Sequence, residues 1–299
     1  MSSESKSNRN MVLILIAVFS ILVLLICIFM LINYSVTSYR ESLLHSSLKD
    51  MVGESQIELT TDLESGKTVT SSGAGGEGKI LKKYKTLYEL NNDVVGWITI
   101  DGTKVDYPVM QTVFDEEYYL YRNYYGKDAK EGLPFMDSRC MIGKPSTNLI
   151  IYGHNMKNGT MFADLLKYES KDYYDRHKYI RFDTLYEEAI YEIVAVFRSR
   201  VAFENENTFR FYNFIEADYE SEFYDYYEMI RSMSLYNIDA EAMASDYLLT
   251  LCTCEYTVED GRFVIVARKV AGEEELSEDI TDHSESAMLD RSDDLKSKN

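Results

Sequence analysis

Apolar positions run without a charge from Met11 to Ile32, a block of 22 residues interrupted only by Ser20. About 20 residues are needed to cross a hydrocarbon core, so this block predicts a membrane-spanning helix. Residues 1–10 ahead of it are polar and carry Lys6 and Arg9. Asn33-Tyr34-Ser35-Val36 follows with no small-residue cleavage site, which favours an uncleaved anchor over a signal peptide. The expected orientation is N-terminus inside and everything after residue 33 outside. Within residues 33–78, Leu43, Leu44, Leu48, Met51, Val52 and Ile57 suit a juxtamembrane helix. The Ser- and Gly-rich stretch from Ser65 to Gly78 then reads as a linker and the clearest domain boundary.

The pattern changes over residues 79–270. Ile80, Leu81, Tyr84, Leu87, Tyr88 and Leu90 recur at helical spacing, predicting an amphipathic helix that ends near Asn91-Asn92. Strand-like runs follow at Val95–Ile100, Val105–Met110, Gly132–Met136, Asn148–Tyr152, Tyr179–Asp183 and Ala189–Phe197. Short helices are expected near 160–167 and 170–176. Tyr219, Phe223, Tyr226, Ile230 and Met233 step by four and three, marking a longer helix packed on the sheet. Two last strands, Tyr247–Cys254 and Arg262–Ala267, are joined by a polar turn at Glu259-Asp260-Gly261. The expected fold is mainly β: a closed or nearly closed barrel of about eight strands, antiparallel-dominated, with peripheral helices. Residues 271–299 are dense in Asp, Glu and Ser and read as a disordered tail.

Composition narrows the function classes. The chain has 299 residues, 45% of them apolar, and a formal charge of −19. That charge opposes non-specific binding to nucleic acid or to an anionic membrane surface. The 25 tyrosines suit a β-rich, half-wet surface or a peptide groove, but decide nothing alone.

Of four cysteines, Cys27 falls inside the apolar block, leaving Cys140, Cys252 and Cys254. An odd number outside the membrane implies at least one free thiol. Cys252 and Cys254 share a strand face with Cα atoms about 6.5–7 Å apart, at or beyond the reach of a disulfide. No Cys-x-x-Cys or His-x-x-x-His spacing occurs, so no metal and no cofactor is expected. Among the histidines, His45 lies beside the anchor, His177 in a charged stretch and His283 in the tail. His154 differs, since it ends the apolar run Leu149–Gly153 and stands on a rigid support. A turn-capping histidine would fit the same spacing.

A strand-end cysteine, a strand-end histidine and an arginine opening the next strand make a mechanism. The attacking species is a thiolate, so Cys254 needs a neighbour that takes its proton. Near neutral pH, histidine can take a proton and return it to a leaving amine. Arg262 stays charged and serves instead to hold a carbonyl or its oxyanion. These roles suit acyl transfer through a thioester, and spacing does not reveal the acceptor.

Thr250-Leu-Cys-Thr-Cys254 with Arg262-Phe-Val-Ile-Val-Ala, and Ile151-Tyr-Gly-His-Asn-Met156 with Gly159-Thr-Met-Phe162, resemble the cysteine and histidine segments of sortases. The helix-bearing stretch between Phe197 and Tyr247 is similar to the insertion of class B sortases. The resemblance covers roughly residues 80–270. It implies a sortase-type barrel and a membrane-bound transpeptidase on the outer face of a Gram-positive cell. Its partners would be a surface protein bearing a sorting signal of Asn-Pro-x-Thr type and a peptidoglycan-precursor amine. His154, Cys254 and Arg262 match the catalytic positions; Tyr152, Thr253, Glu255 and, more weakly, Asn123 are the implied substrate contacts. Cys252 departs from the family pattern, which commonly has a small polar residue there. Three alternatives stay open: a pilin polymerase using a lysine amine, a thiol hydrolase, and an anchored binding module whose Cys and His are structural. A neighbouring pilin gene, trapping by an added amine, and the effect of Cys254→Ala would separate them.

Overall fold

The computed structural model describes residues 3–64, 78–202, 206, 208–257 and 259–270. The linker at 65–77 and the tail at 271–299 lie outside the described residues. The N-terminal unit, up to Asp50, is helical and belongs to α1 (Ser3–Glu64). Its apolar block is long enough to cross a membrane, as the uncharged run predicts.

The second unit holds the barrel. Its strands are β1 (Val94–Thr99), β2 (Asp106–Met110), β3 (Phe135–Met136), β4 (Asn148–Gly153), β5 (Tyr179–Thr184), β6 (Ile190–Arg200), β7 (Leu248–Cys254) and β8 (Gly261–Lys269). They form a ring in the order β1-β2-β3-β4-β7-β8-β6-β5, closed by β5 pairing with β1. Most joints are antiparallel, but β2–β3 and β4–β7 are parallel. The second of these matters for the site. Parallel neighbours end on the same side of a barrel, so β4 and β7 deliver their C-terminal residues side by side.

One expected strand is shorter than its apolar pattern. Gly132–Met136 contracts to Phe135–Met136 because Gly132 takes φ +55° and Pro134 brings no N–H to a ladder. The helices are α2 (Lys82–Leu90), α3 (Lys171–Arg176) and α4 (Glu220–Met233), with 3-10 helices at Tyr118–Tyr121 and Phe162–Glu169 among others.

Alternation along the strands builds two apolar layers. Leu249, Leu251, Phe263 and Ile265 point into the barrel with Ile98, Val109 and Ile151. Leu248, Cys252, Val264 and Val266 point outward and are covered by Phe223, Tyr226 and Ile230 of α4. Burying each such large side chain contributes about 1.5–3 kcal/mol, so both faces of β7 and β8 are fixed and a one-residue slip is excluded. Glu222 starts α4 by accepting from the N–H groups of Asp218 and Tyr219, at 2.8 and 3.2 Å. On the other side, Lys83 and Tyr84 of α2 both donate to Asp183 of β5, each at 2.7 Å. Lys83 also meets Glu188.

Candidate active site

The register of three strands assembles the site. Tyr152 of β4 pairs with Cys252 of β7, which pairs with Val264 of β8. Two residues on, Cys254 pairs with Arg262, and their Cα atoms are about 4.5–5.5 Å apart, as in any antiparallel pair. Gly153 pairs with Thr253, so one further step along the parallel joint sets His154 beside Cys254. Neighbouring strands stand about 4.8 Å apart. The backbone thus brings His154, Cys254 and Arg262 to the same end of the β4–β7–β8 joint. All three are half-buried.

Local contacts hold that end. Gly153 leaves room for the Phe162 ring, which a Cβ would meet at 2.7 Å. The Phe162 N–H returns to the His154 carbonyl at 2.8 Å and closes the loop after β4. Thr253 is 2% exposed and its hydroxyl donates to the Gly153 carbonyl at 2.7 Å, clamping the ends of β4 and β7 together. Asn155 donates from Nδ2 to the Cys254 carbonyl at 3.1 Å, a second tie between the histidine loop and the cysteine strand. The exposed Tyr256 donates to the Asn155 carbonyl at 3.4 Å.

The histidine ring has its own support. Nε2 lies 2.8 Å from the Leu120 carbonyl, at the end of the 3-10 helix Tyr118–Tyr121, and the Tyr121 ring leans on the imidazole with centroids 5.2 Å apart. A carbonyl only accepts, so the proton sits on Nε2 and the neutral ring keeps its lone pair at Nδ1. Burial holds the His154 pKa below 6.5, partly offset by the Leu120 bond, and the ring is neutral at pH 7. Arg262 donates from Nη1 to its own turn, to the Gly261 carbonyl at 2.9 Å and the Asp260 carbonyl at 3.3 Å. Cys252 is 1% exposed, and burial pushes its thiol up to about 12, leaving it protonated.

The remaining sequence-predicted residues lie as follows. Tyr152 donates to Asp137 at 3.1 Å. Glu255, buried, accepts from the Thr257 N–H at 3.1 Å and its hydroxyl at 2.6 Å, bracing the turn after Cys254. Asn123 accepts from the N–H groups of Tyr125 and Lys127, at 3.1 and 3.2 Å, within a turn beyond the 3-10 helix. The structure thus brings His154, Cys254, Arg262, Thr253 and Glu255 to one barrel end and joins the side-chain oxygens of Tyr152 and Asn123 to other partners. Leu120, Tyr121 and Tyr256 escaped the sequence reading of the site, and Asn155 enters it only as part of the histidine segment, with no role of its own. Asn155 lies within the histidine motif and Tyr256 just past the cysteine motif, whereas a backbone carbonyl such as that of Leu120 leaves no side-chain signal.

A family model for the sortase domain matches residues 98–270. Sortase B of Listeria monocytogenes serovar 1/2a is 37% identical over 197 residues, covering 64% of this chain and 76% of that protein. Sortase B of Staphylococcus aureus is 30% identical over 191 residues, covering 62% and 74%. Among solved structures, sortase B from Bacillus anthracis in complex with AAEK1 superposes with a TM-score of 0.63 at 29% identity, over 79% of this chain and 98% of that one.

Proposed function

The chain belongs to the sortase family of cysteine transpeptidases, and from that premise we propose that Cys254 is its nucleophile, His154 its acid and base, and Arg262 its oxyanion partner. The substrate is a surface protein with a C-terminal sorting signal of Asn-Pro-x-Thr type, and the acceptor is a cell-wall amine. What supports this reading is the strand register, which pairs Cys254 with Arg262 and brings the backbone after Gly153 to the same end of the β4–β7 joint.

At neutral pH the imidazole of His154 is neutral and able to take a proton. Nδ1 of His154 takes the thiol proton as the sulfur attacks the threonine carbonyl. The tetrahedral oxyanion receives hydrogen bonds from Arg262, and one such donor contributes about 2.7–4 kcal/mol to the transition state. The carbon–nitrogen bond then breaks, the imidazolium gives its proton to the leaving amine, and a thioester remains on Cys254. In the second half an amine attacks that thioester and yields a proton to Nδ1. The sulfur departs as thiolate and recovers the proton. Tyr152, Glu255 and Asn123, with their side-chain oxygens committed elsewhere in the protein, shape the walls along which the peptide lies, while the buried Thr253 serves the site by tying β7 to β4. The apolar block of α1 holds the chain in the membrane, N-terminus inside and catalytic unit outside.

The test uses the full chain in detergent with a small library of sorting-signal peptides. Mass spectrometry should find a thioester on Cys254, absent in Cys254→Ala, and an oligoglycine amine should convert it to a transpeptidation product. No adduct with any Asn-Pro-x-Thr peptide would overturn the substrate; an adduct surviving in Cys254→Ala would overturn the nucleophile.

A further inference from the structure

A glycine packs closely against the Leu120 carbonyl that receives the His154 Nε2 proton. Gly132 has φ +55°, in the left-handed region, and packs its Cα against the 3-10 helix that ends at Tyr121. A Cβ there would stand 2.2 Å from the Leu120 oxygen, 2.5 Å from the Tyr119 oxygen and 2.6 Å from the Leu120 carbonyl carbon. All three are backbone atoms, so no flexible side chain can give way. The surrounding hydrogen bonds fix both partners: Ala129 donates to the Tyr121 carbonyl at 2.9 Å, Gly132 to Ala129 at 3.1 Å and Leu133 to Tyr119 at 3.0 Å. The segment is thus folded tightly on itself, and the one outward-reaching acceptor in this contact is the Leu120 oxygen, 2.8 Å from the His154 imidazole.

We propose that Gly132 is a positioning residue for the general base: the absence of its side chain lets the Leu120 carbonyl stand where it orients the His154 ring and keeps the proton on Nε2. Gly132 touches neither Cys254 nor the peptide in this scheme. It acts through one carbonyl and one ring. A larger residue would displace that carbonyl, leave the ring free to rotate, and spoil the alignment of Nδ1 with the sulfur, an alignment on which proton transfer depends. This inference rests on the proposed role of His154.

The test compares the full chain in detergent with Gly132→Ala and Gly132→Asn, asparagine being among the residues that best tolerate positive φ. Nitrogen-15 spectra of histidine-labelled protein, with His154→Gln assigning the signal, should show a protected Nε2 proton on His154 in the wild type. That signal should be lost or exchange-broadened in both variants, with kcat for peptide transfer down at least tenfold and KM within about threefold. Gly102→Ala is the control, because it also places a Cβ at positive φ (+73°) but against the His177 ring. It should lose stability and keep the His154 signal. Variants retaining the protected proton and normal kcat would overturn the proposal, as would a wild type carrying its proton on Nδ1. Failure of both Gly132 variants to fold while Gly102→Ala folds would make Gly132 a residue of the fold and equally overturn it. The proton signal is read without substrate, so a chain inactive on every peptide would sink the functional reading while leaving this inference testable.

Discussion

Replacing Thr253 by valine should show what holds the ends of β4 and β7 in register at the candidate site. The hydroxyl is 2% exposed and donates at 2.7 Å to the Gly153 carbonyl, one residue before both His154 and Cys254 on their strands. Valine has nearly the same shape, so no cavity opens, and what is lost is the bond itself. A neutral buried hydrogen bond contributes about 0.5–1.5 kcal/mol, and a desolvated carbonyl left unpaired raises the loss to about 1–3 kcal/mol. For a unit of this size that lowers the melting temperature by about 2–12 °C. If the same energy is spent misaligning the two strand ends, kcat falls by about 5- to 150-fold, a tenfold change being 1.36 kcal/mol. Thr253→Ser keeps the hydroxyl and loses a buried methyl, about 0.8 kcal/mol; it should be mildly destabilised yet catalytically near normal. Calorimetry and single-turnover thioester formation, measured on both variants, decide the matter. A valine variant as active as the serine one would mean that the Gly153 bond does not align the strand ends, and the reasoning would fail.

Arg262→Lys should lose most activity at unchanged stability, because a point charge cannot reproduce the planar fork; near-normal peptide turnover would remove Arg262 from the mechanism. Burial lowers the His154 pKa below 6.5, so the acid limb of kcat/KM should fall below pH 6.5. The same shift makes the unfolded chain bind the proton more readily. The contribution of His154 to stability is then present above pH 6.5 and lost as pH falls through the folded value. Urea melts of wild type and His154→Gln between pH 4.5 and 8 should therefore diverge toward alkaline pH. Asp183→Asn leaves the Lys83 ammonium, 7% exposed, without its buried carboxylate, with only Glu188 left to it. Removing one partner of a buried pair costs about 3–5 kcal/mol, so guanidinium melts should show a loss in that range, whereas a loss below about 1 kcal/mol would show that Glu188 compensates.

Why was the site so nearly legible before any fold was known? Its members are side chains with distinct chemistry, and each lies at the end of a run whose β-branched and apolar residues predict a strand. Strand existence is a local property, which is why β4, β6, β7 and β8 appear where their patterns place them. Pairing is not local. Nothing in Leu149–Gly153 or in Leu248–Cys254 says that these two segments are parallel neighbours, since each is apolar on both faces and fits either direction. The parallel joint is set by what lies between them: β5 and β6 go round the barrel, and α4 then covers the outer face before β7 enters beside β4. Without that passage the cysteine and the histidine would end on opposite sides. The second gap is chemical. Thr253 reads as a groove residue when only its neighbour Cys254 is considered, because alternation alone cannot say that its hydroxyl is taken by a backbone carbonyl across the joint. Leu120 and Gly132 are harder still, one contributing an oxygen every residue possesses and the other the lack of a side chain. A site can therefore be named from its reactive groups while the atoms that aim those groups stay silent until the backbone is in place.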